Sequence, residues 1–275
     1  GLGDVYKRQV YMELTVLVDN NTHAGNCLIS EHGLSFLIEE FDLKLLFDCG
    51  SSDAFIKNAY KMQIDLAQIT DIVLSHSHID HIGGFLRLQS LYQKFKYVGI
   101  DFNSKNVISH PDVFKQGESN ILDNESYHLS KEEMDKFFNL ILTTKPMPIT
   151  PKLMYLGEIP VPREVKIDYA PDETALAYKS NEGLVIISGC SHSGVENIIE
   201  HAKYVTGEER VNTIIGGLYL INRSEDEINK LGEYLRNQSV QRIFPCHCTD
   251  LEAKIILSKY VKIEDVSTGQ KYTWE

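Results

Sequence analysis

Short runs of aliphatic and β-branched residues alternate along the chain with segments whose apolar positions recur every three or four residues. The runs 14–18 (LTVLV), 34–38 and 43–47 (LKLLF) read as strands, the first two separated by the turn-prone stretch 20–33. The period then changes. Ser51 or Ser52 can cap a helix that places Phe55, Ile56, Ala59 and Met62 on one face. A buried-type strand at 71–74 (DIVL) runs into a cluster of histidines, and Gly83 and Gly84 start the next helix.

The second half repeats the alternation. Strand 184–188 (LVIIS) precedes a helix with Val195, Ile198, Ile199, Ala202 and Val205 on one face, and strand 211–215 precedes a helix opened by the capping box from Ser224 to Glu227. Strand 241–244 leads to a last helix, whose box runs from Thr249 to Glu252. Two halves that each combine strands with amphipathic helices predict an α+β protein, a four-layer αββα sandwich with the sheets inside. Between the halves, 111–171 has weak periodicity and five of the eight prolines, from Pro146 to Pro162, and reads as an insertion or lid. Residues 1–10 read as a non-native leader, which leaves 11–275 as a single domain.

Composition narrows the function. With 43% hydrophobic residues the chain can bury a large core, and 27 Lys plus Arg against 39 Asp plus Glu give a net charge of -12. Such a surface repels phosphate backbones and argues against a nucleic-acid partner, whereas a small anionic substrate stays open if bound cations dominate the local field. Five scattered cysteines, Cys27, Cys49, Cys190, Cys246 and Cys248, do not form a disulfide framework. Reduced thiols, no apolar run of about 18 residues and no signal-peptide pattern predict a cytoplasmic protein without a membrane partner.

The chemistry concentrates in Ser75-His76-Ser77-His78-Ile79-Asp80-His81-Ile82-Gly83-Gly84, at the end of a predicted strand. His76 and His78, two apart in an extended segment, project to the same side and can grip one metal ion. Asp80 and His81 come where the chain turns into a helix and point to a neighbouring position, about 3.5–4 Å away, where a second ion can sit. A polar loop with chance histidines is the plainer reading, and three histidines and an aspartate at this spacing argue against it.

His-x-His-x-Asp-His after a strand is the signature of the metallo-β-lactamase superfamily, which the chain resembles from Met12 onward. Further segments are Val18-Asp19-Asn20, Glu31-His32-Gly33-Leu34-Ser35, Phe47-Asp48-Cys49-Gly50, Gly157-Glu158-Ile159-Pro160, Gly189-Cys190-Ser191-His192-Ser193-Gly194 and Pro245-Cys246-His247-Cys248-Thr249. Together they resemble the subgroup named 7,8-dihydropterin-6-yl-methyl-4-(β-D-ribofuranosyl)aminobenzene 5'-phosphate synthases. The resemblance implies a binuclear site for two divalent metal ions, zinc first, with manganese or iron as alternatives. His192 would complete the ligands of the first ion. Cys190, where the superfamily usually has a bridging aspartate, would join Asp80, His81 and His247 on the second. Alternation along an extended segment points Cys246 and Cys248 away from His247, as thiols that pack or stand behind the ligands and do not bind the ions themselves.

The resemblance also places His32, Gly217 and Tyr219 at the substrate, with packing an equal alternative for His32. His110, His23, His128 and His201 read as structural. The superfamily's default reaction is hydrolysis of a small anionic ester, phosphoester or lactone by metal-activated water, which Asp80 would orient as the catalytic carboxylate. The subgroup's reaction is instead a pterin transfer. Tyr219 stands where the subgroup has histidine, and this departure tips the expectation toward the hydrolase. The same departure keeps open a non-catalytic metal-binding or redox-sensing protein. An electron-transfer protein with a di-iron site is disfavoured by Cys190 at the position of the iron-binding carboxylate.

Overall fold

The computed structural model describes residues 11–100, 104–115, 129–162 and 170–275. The first sheet is built from β1 (Met12–Val18), β2 (Ser35–Glu40), β3 (Leu43–Phe47), β4 (Asp71–Val73), β5 (Lys105–Ser109) and β6 (Phe138–Leu142). The second holds β7 (Met147–Pro148), β8 (Leu153–Tyr155), β9 (Ala175–Ser180), β10 (Gly183–Ser188), β11 (Val211–Gly217), β12 (Arg242–Cys246) and β13 (Lys262–Ile263). β14 (Lys271–Trp274) returns to the first sheet beside β1, so the two sheet orders are β14-β1-β2-β3-β4-β5-β6 and β13-β12-β11-β10-β9-β8-β7.

Three apolar layers hold this arrangement together. Leu14, Phe36, Phe47, Tyr178, Ile187 and Phe244 fill the space between the sheets. Leu37, Leu46 and Ile72, on the other face of the first sheet, pack against Phe55 of α1 (Ala54–Lys61) and, beyond the short helix α2 (Ile79–Ile82), Phe85 and Leu88 of α3 (Phe85–Tyr97). After the one-turn helix α4 (Lys131–Met134), the second sheet is covered by α5 (Val195–Thr206), α6 (Glu225–Asn237) and α7 (Leu251–Leu257) through Ile198, Leu231 and Leu257. Alternate residues of one strand thus face the two layers, as the pleat requires. The result is the expected αββα sandwich.

Two features depart from the sequence reading. Within 111–171, β6 pairs in parallel with β5, and β8 pairs with β9, so part of this span supplies edge strands to both sheets. Residues 116–128 and 163–169 of it, the leader 1–10 and His128 lie outside the described residues. At the last helix the cap is Asp250, whose carboxylate accepts from Ala253 N–H, and not Thr249. The Thr249 hydroxyl is already engaged, accepting from Leu218 N–H at 3.1 Å. The Ser224–Glu227 capping box is present as expected.

Strand direction sets where chemistry can gather. β3, β4 and β5 run parallel, as do β10, β11 and β12. Their carboxyl ends open toward one edge of the sandwich, the location where α/β sheets collect ligands. Asp48, Ser75–His81, Cys190, Gly217–Tyr219 and His247 all leave the sheets there.

Candidate metal centre

At the end of β4 the chain leaves the sheet through Ser75 and stays extended to His78 before α2 turns Asp80 and His81 inward. Gly83 and Gly84 make that turn possible. A Cβ at Gly84 would fall 2.2 Å from Cys49 O, and one at Gly83 would fall 2.5 Å from Ser51 O. The buried carboxylate of Asp48 organises the segment: Oδ1 accepts from Ser75 N–H at 2.7 Å, and Oδ2 accepts from the Ser75 hydroxyl and from His81 Nδ1, each at 2.7 Å.

These bonds choose the histidine tautomers. The Ser75 hydroxyl spends its proton on Asp48 and is left to accept from His76 Nδ1, 2.9 Å away, which makes Nε2 the lone pair of His76. His81 likewise donates from Nδ1, and its Nε2 is buried without a hydrogen bond. His247 Nδ1 faces Asn20 Oδ1 at 3.2 Å, and its Nε2 faces Asp80 Oδ2 at 3.1 Å. A buried ring nitrogen without a hydrogen-bond partner, as at His81 Nε2, is costly unless another group meets it, and His76 Nε2 has only His78 Nδ1, 3.1 Å away.

The ring nitrogens and the Cys190 sulfur converge in two clusters. Donor atoms of His76, His78 and His192 lie within 4.8 Å of one another, as do those of His81, Cys190 and His247. A third set, His32, Asp80 and His247, meets the same limit and shares His247 with the second. Asp80 Oδ2 stands 3.1 Å from His247 Nε2, 3.2 Å from His32 Nε2 and 3.9 Å from His81 Nε2. Imidazole nitrogen, thiol sulfur and one carboxylate, largely buried, form a donor set that suits divalent transition metal ions.

Electrostatics agree with this geometry. Burial pushes the His76 imidazole well below its usual range, and the neighbouring His81, His78 and His192 add to the effect. Burial also pushes the Cys190 thiol up, reinforced by Cys248. At Asp80 burial opposes ionisation but is outweighed by the charge of His81 and by hydrogen bonds from His247 and His32, so the carboxyl is held well below the usual carboxylate range. His81 shows the reverse balance: burial lowers its pKa, and Asp80 and Asp48 outweigh that and raise it to about 9. These opposed shifts mark a site built to hold charge.

Backbone strain collects at the same edge. Asp48, Ser191, Tyr219 and His247 all have positive φ, between 52° and 66°, a conformation that costs non-glycine residues energy and persists where the surroundings impose it. His247 corrects one expectation. Its φ of 52° breaks the alternation of the extended segment, so Cys248 turns back and its Sγ lies 2.8 Å from Cys190 Sγ, while Tyr219 N–H donates to it at 3.1 Å. Cys246, by contrast, is fully buried in the layer between the sheets.

Of the residues expected at the substrate, Tyr219 borders the first cluster, its ring centroid 4.2 Å from that of His192 and the Arg223 guanidinium 5.1 Å above it. His32 borders the second, stacked on His247 with centroids 5.1 Å apart. Gly217 lies behind the cluster, where a Cβ would meet Cys248 Sγ at 2.6 Å and Cys190 Cα at 3.0 Å. His110, His23 and His201 stand apart from these clusters, at Glu158, Asp265 and Leu156 O respectively.

Two organising residues were not singled out from the sequence. Asp48 is one, although the motif Phe47-Asp48-Cys49-Gly50 contains it. The other is Glu173, whose buried carboxylate accepts from His192 N–H at 2.7 Å and Ser193 N–H at 2.6 Å, and burial pushes its pKa up. No motif carries Glu173.

Comparison with known proteins places the chain. Residues 30–99 match the family described as the metallo-beta-lactamase superfamily. The chain is 27% identical over 253 residues to the 7,8-dihydropterin-6-methyl-4-(beta-D-ribofuranosyl)-aminobenzene-5'-phosphate synthase of Methanocaldococcus jannaschii, covering 82% of this chain and 83% of the relative. An uncharacterized protein of the same organism is 28% identical over 263 residues, 90% of this chain and 94% of that protein. Among solved structures, Tm1679, described as a metal-dependent hydrolase of the beta-lactamase superfamily, superposes with a TM-score of 0.78 at 29% identity, covering 95% of this chain and 98% of the other.

Proposed function

For a chain that carries a metallo-β-lactamase superfamily domain, we propose a binuclear metal-dependent enzyme acting on a small anionic metabolite, with a pterin transfer of the kind named for its synthase relative as the leading reaction. The observation that carries the reading is the convergence of two donor clusters at one edge of the sandwich. His76, His78 and His192 would hold one ion, and Asp80, His81, Cys190 and His247 the other, zinc being the first choice for this mixture of nitrogen and sulfur.

Bound there, the ions supply Lewis acidity that polarises an oxygen of the substrate and lowers the pKa of a nucleophile. The protein's own groups do the rest. Asp48, through Ser75 and His81, fixes two imidazoles before any ligand arrives, and Glu173 fixes the turn that carries His192. Asp80, kept ionised, is the carboxylate best placed to accept a proton or orient the attacking group. Tyr219 borders the first cluster and has the Arg223 guanidinium over its ring, and an aromatic face with a guanidinium nearby suits a flat ring with an anionic substituent. The substrate being small, neither a nucleic acid nor a membrane is a partner in this reading. No helix among the described residues is long and apolar enough to cross a membrane. A centre that depends on a reduced thiol suits the cytoplasm.

Hydrolysis of a small ester, phosphoester or lactone is the second reading, favoured by the likeness to Tm1679. The synthase relative covers more than four-fifths of the chain and moves the transferase ahead of the hydrolase, the reverse of the order expected from Tyr219 alone. The experiment is to incubate zinc-, manganese- and iron-loaded protein with a dihydropterin-methyl diphosphate and a ribofuranosylaminobenzene phosphate, and separately with phosphoesters and lactones. Metal-dependent coupling is expected. Cleavage without coupling would make it a hydrolase, and no turnover in either panel would leave a metal-binding protein without this chemistry.

A further inference from the structure

His32 is half out of the protein, with 66% of its side chain exposed, yet its ring is aimed. Nε2 sits 3.2 Å from Asp80 Oδ2, and the ring lies over His247 at an interplanar angle of 22°. A side chain this exposed gives up conformational freedom to hold such a contact. The backbone explains how the aim is kept. Glu31 Oε1 accepts from Ser51 N–H at 3.0 Å and Ser52 N–H at 3.1 Å, and the Ser51 hydroxyl donates to His32 O. On the other side Gly33 N–H reaches Asn20 Oδ1 at 3.4 Å and Leu34 N–H reaches Asp80 O at 3.1 Å. Asn20 is the residue that also fixes His247, and Asp80 belongs to the second cluster. The loop is therefore tied to the same residues that set the metal ligands.

We propose that His32 is itself a ligand of the second metal ion, supplied through Nε2 on the solvent side, in addition to Asp80, His81, Cys190 and His247. The distances carry the assignment. Nitrogen or oxygen donors about 2.0–2.2 Å from one zinc ion stand roughly 3–4 Å from each other, and Asp80 Oδ2 is 3.2 Å from His32 Nε2 and 3.1 Å from His247 Nε2. The donor atoms of His32, Asp80 and His247 all lie within 4.8 Å of one another. Of these three, His32 is the exposed member, Asp80 is partly buried and His247 is buried. This inference rests on the metal reading of the site and adds a residue to it.

The test tracks the His32 nitrogen directly. In 15N-labelled full-length protein, long-range proton–nitrogen correlation of the imidazoles should move His32 Nε2 to a metal-bound position when zinc is added and return it when zinc is removed. His32→Ala should still take up two zinc ions and release one of them to a chelator about tenfold faster, by analogy with the 10–100-fold effects of losing groups that merely support a ligand. His32→Gln, which can hydrogen-bond Asp80 but is a poor zinc ligand, should behave like the alanine variant. An unmoved His32 resonance overturns the proposal, and so does a wild-type release rate in His32→Gln, which would reduce His32 to a hydrogen-bond partner of Asp80. If the wild-type protein takes up no zinc, manganese or iron, the metal reading fails first, and this inference with it.

Discussion

Asp48 and His81, 33 residues apart in sequence, meet through a 2.7 Å contact between Oδ2 and Nδ1 with both side chains fully buried. The contact fixes the orientation of the imidazole and turns Nε2 toward Cys190 and His247. Groups that orient a metal-binding histidine are worth about 10–100-fold in metal affinity. Asp48→Asn keeps the shape and tolerates the positive φ of this position, so it should fold and should lose metal to a chelator at least tenfold more readily than wild type. Unchanged retention in a competition titration would show that Asp48 only packs.

Cys190 should be shielded when metal is bound, because coordination deprotonates the sulfur and occupies its nucleophilic lone pair. Cys27 is exposed and serves as the internal control. Because Cys190 is buried, thiol labelling, read by peptide mass spectrometry, is done at a denaturant concentration that opens the metal-free protein and stays below the unfolding of the metal-loaded one, where Cys27 should be marked in both states and Cys190 only after chelation. Equal labelling of Cys190 with and without metal would remove it from the ligand set.

What could be read from the sequence, and what could not, divides along a physical line. The strands and helices come from hydrophobic period, and His76, His78, Asp80 and His81 come from spacing within one strand–turn–helix segment, where local geometry decides direction. The weak pattern of 111–171 has a plain cause: β7 and β8, at one end of the second sheet, are strands of two and three residues, too short to show a period. Cys248 was misplaced because alternation holds only while the backbone stays extended, and His247 leaves that region. Glu173 was invisible because its partners, His192 and Ser193, lie 19 and 20 residues away, and a buried carboxylate bonded to two backbone N–H groups has no sequence signature.

Glu173→Ala should be costly for the same reason. It strands two buried N–H donors, each worth about 1–3 kcal/mol when left unpaired, and it frees the turn that presents His192. We expect a destabilisation of about 2–5 kcal/mol in denaturant titrations and loss of one metal equivalent. Glu173→Gln, which keeps an accepting carbonyl for one of the two donors, should recover part of both. An alanine variant that retains both ions would show that His192 needs no help from Glu173.

Proton release should tell the two clusters apart. In the metal-free protein at pH 7, His81 is protonated, because Asp80 and Asp48 outweigh burial and raise its pKa to about 9. Cys190 is also protonated, since burial and the nearby Cys248 push the thiol up. Both must lose their protons to bind an ion, whereas His76 in the first cluster is already neutral because burial and its histidine neighbours lower its pKa. Uptake at the second cluster should therefore release at least two protons per ion at pH 7, from His81 and Cys190, whereas His76 has none to release at the first. Because protons compete with the ion, affinity of the second cluster should climb between pH 7 and 9 and flatten by about one proton once pH passes the His81 value, a dependence to which His76 of the first cluster adds nothing. Calorimetric titration with zinc in two buffers of different ionisation enthalpy measures the count directly. Equal proton release for the two equivalents would mean that the ions do not divide between the clusters as assigned here.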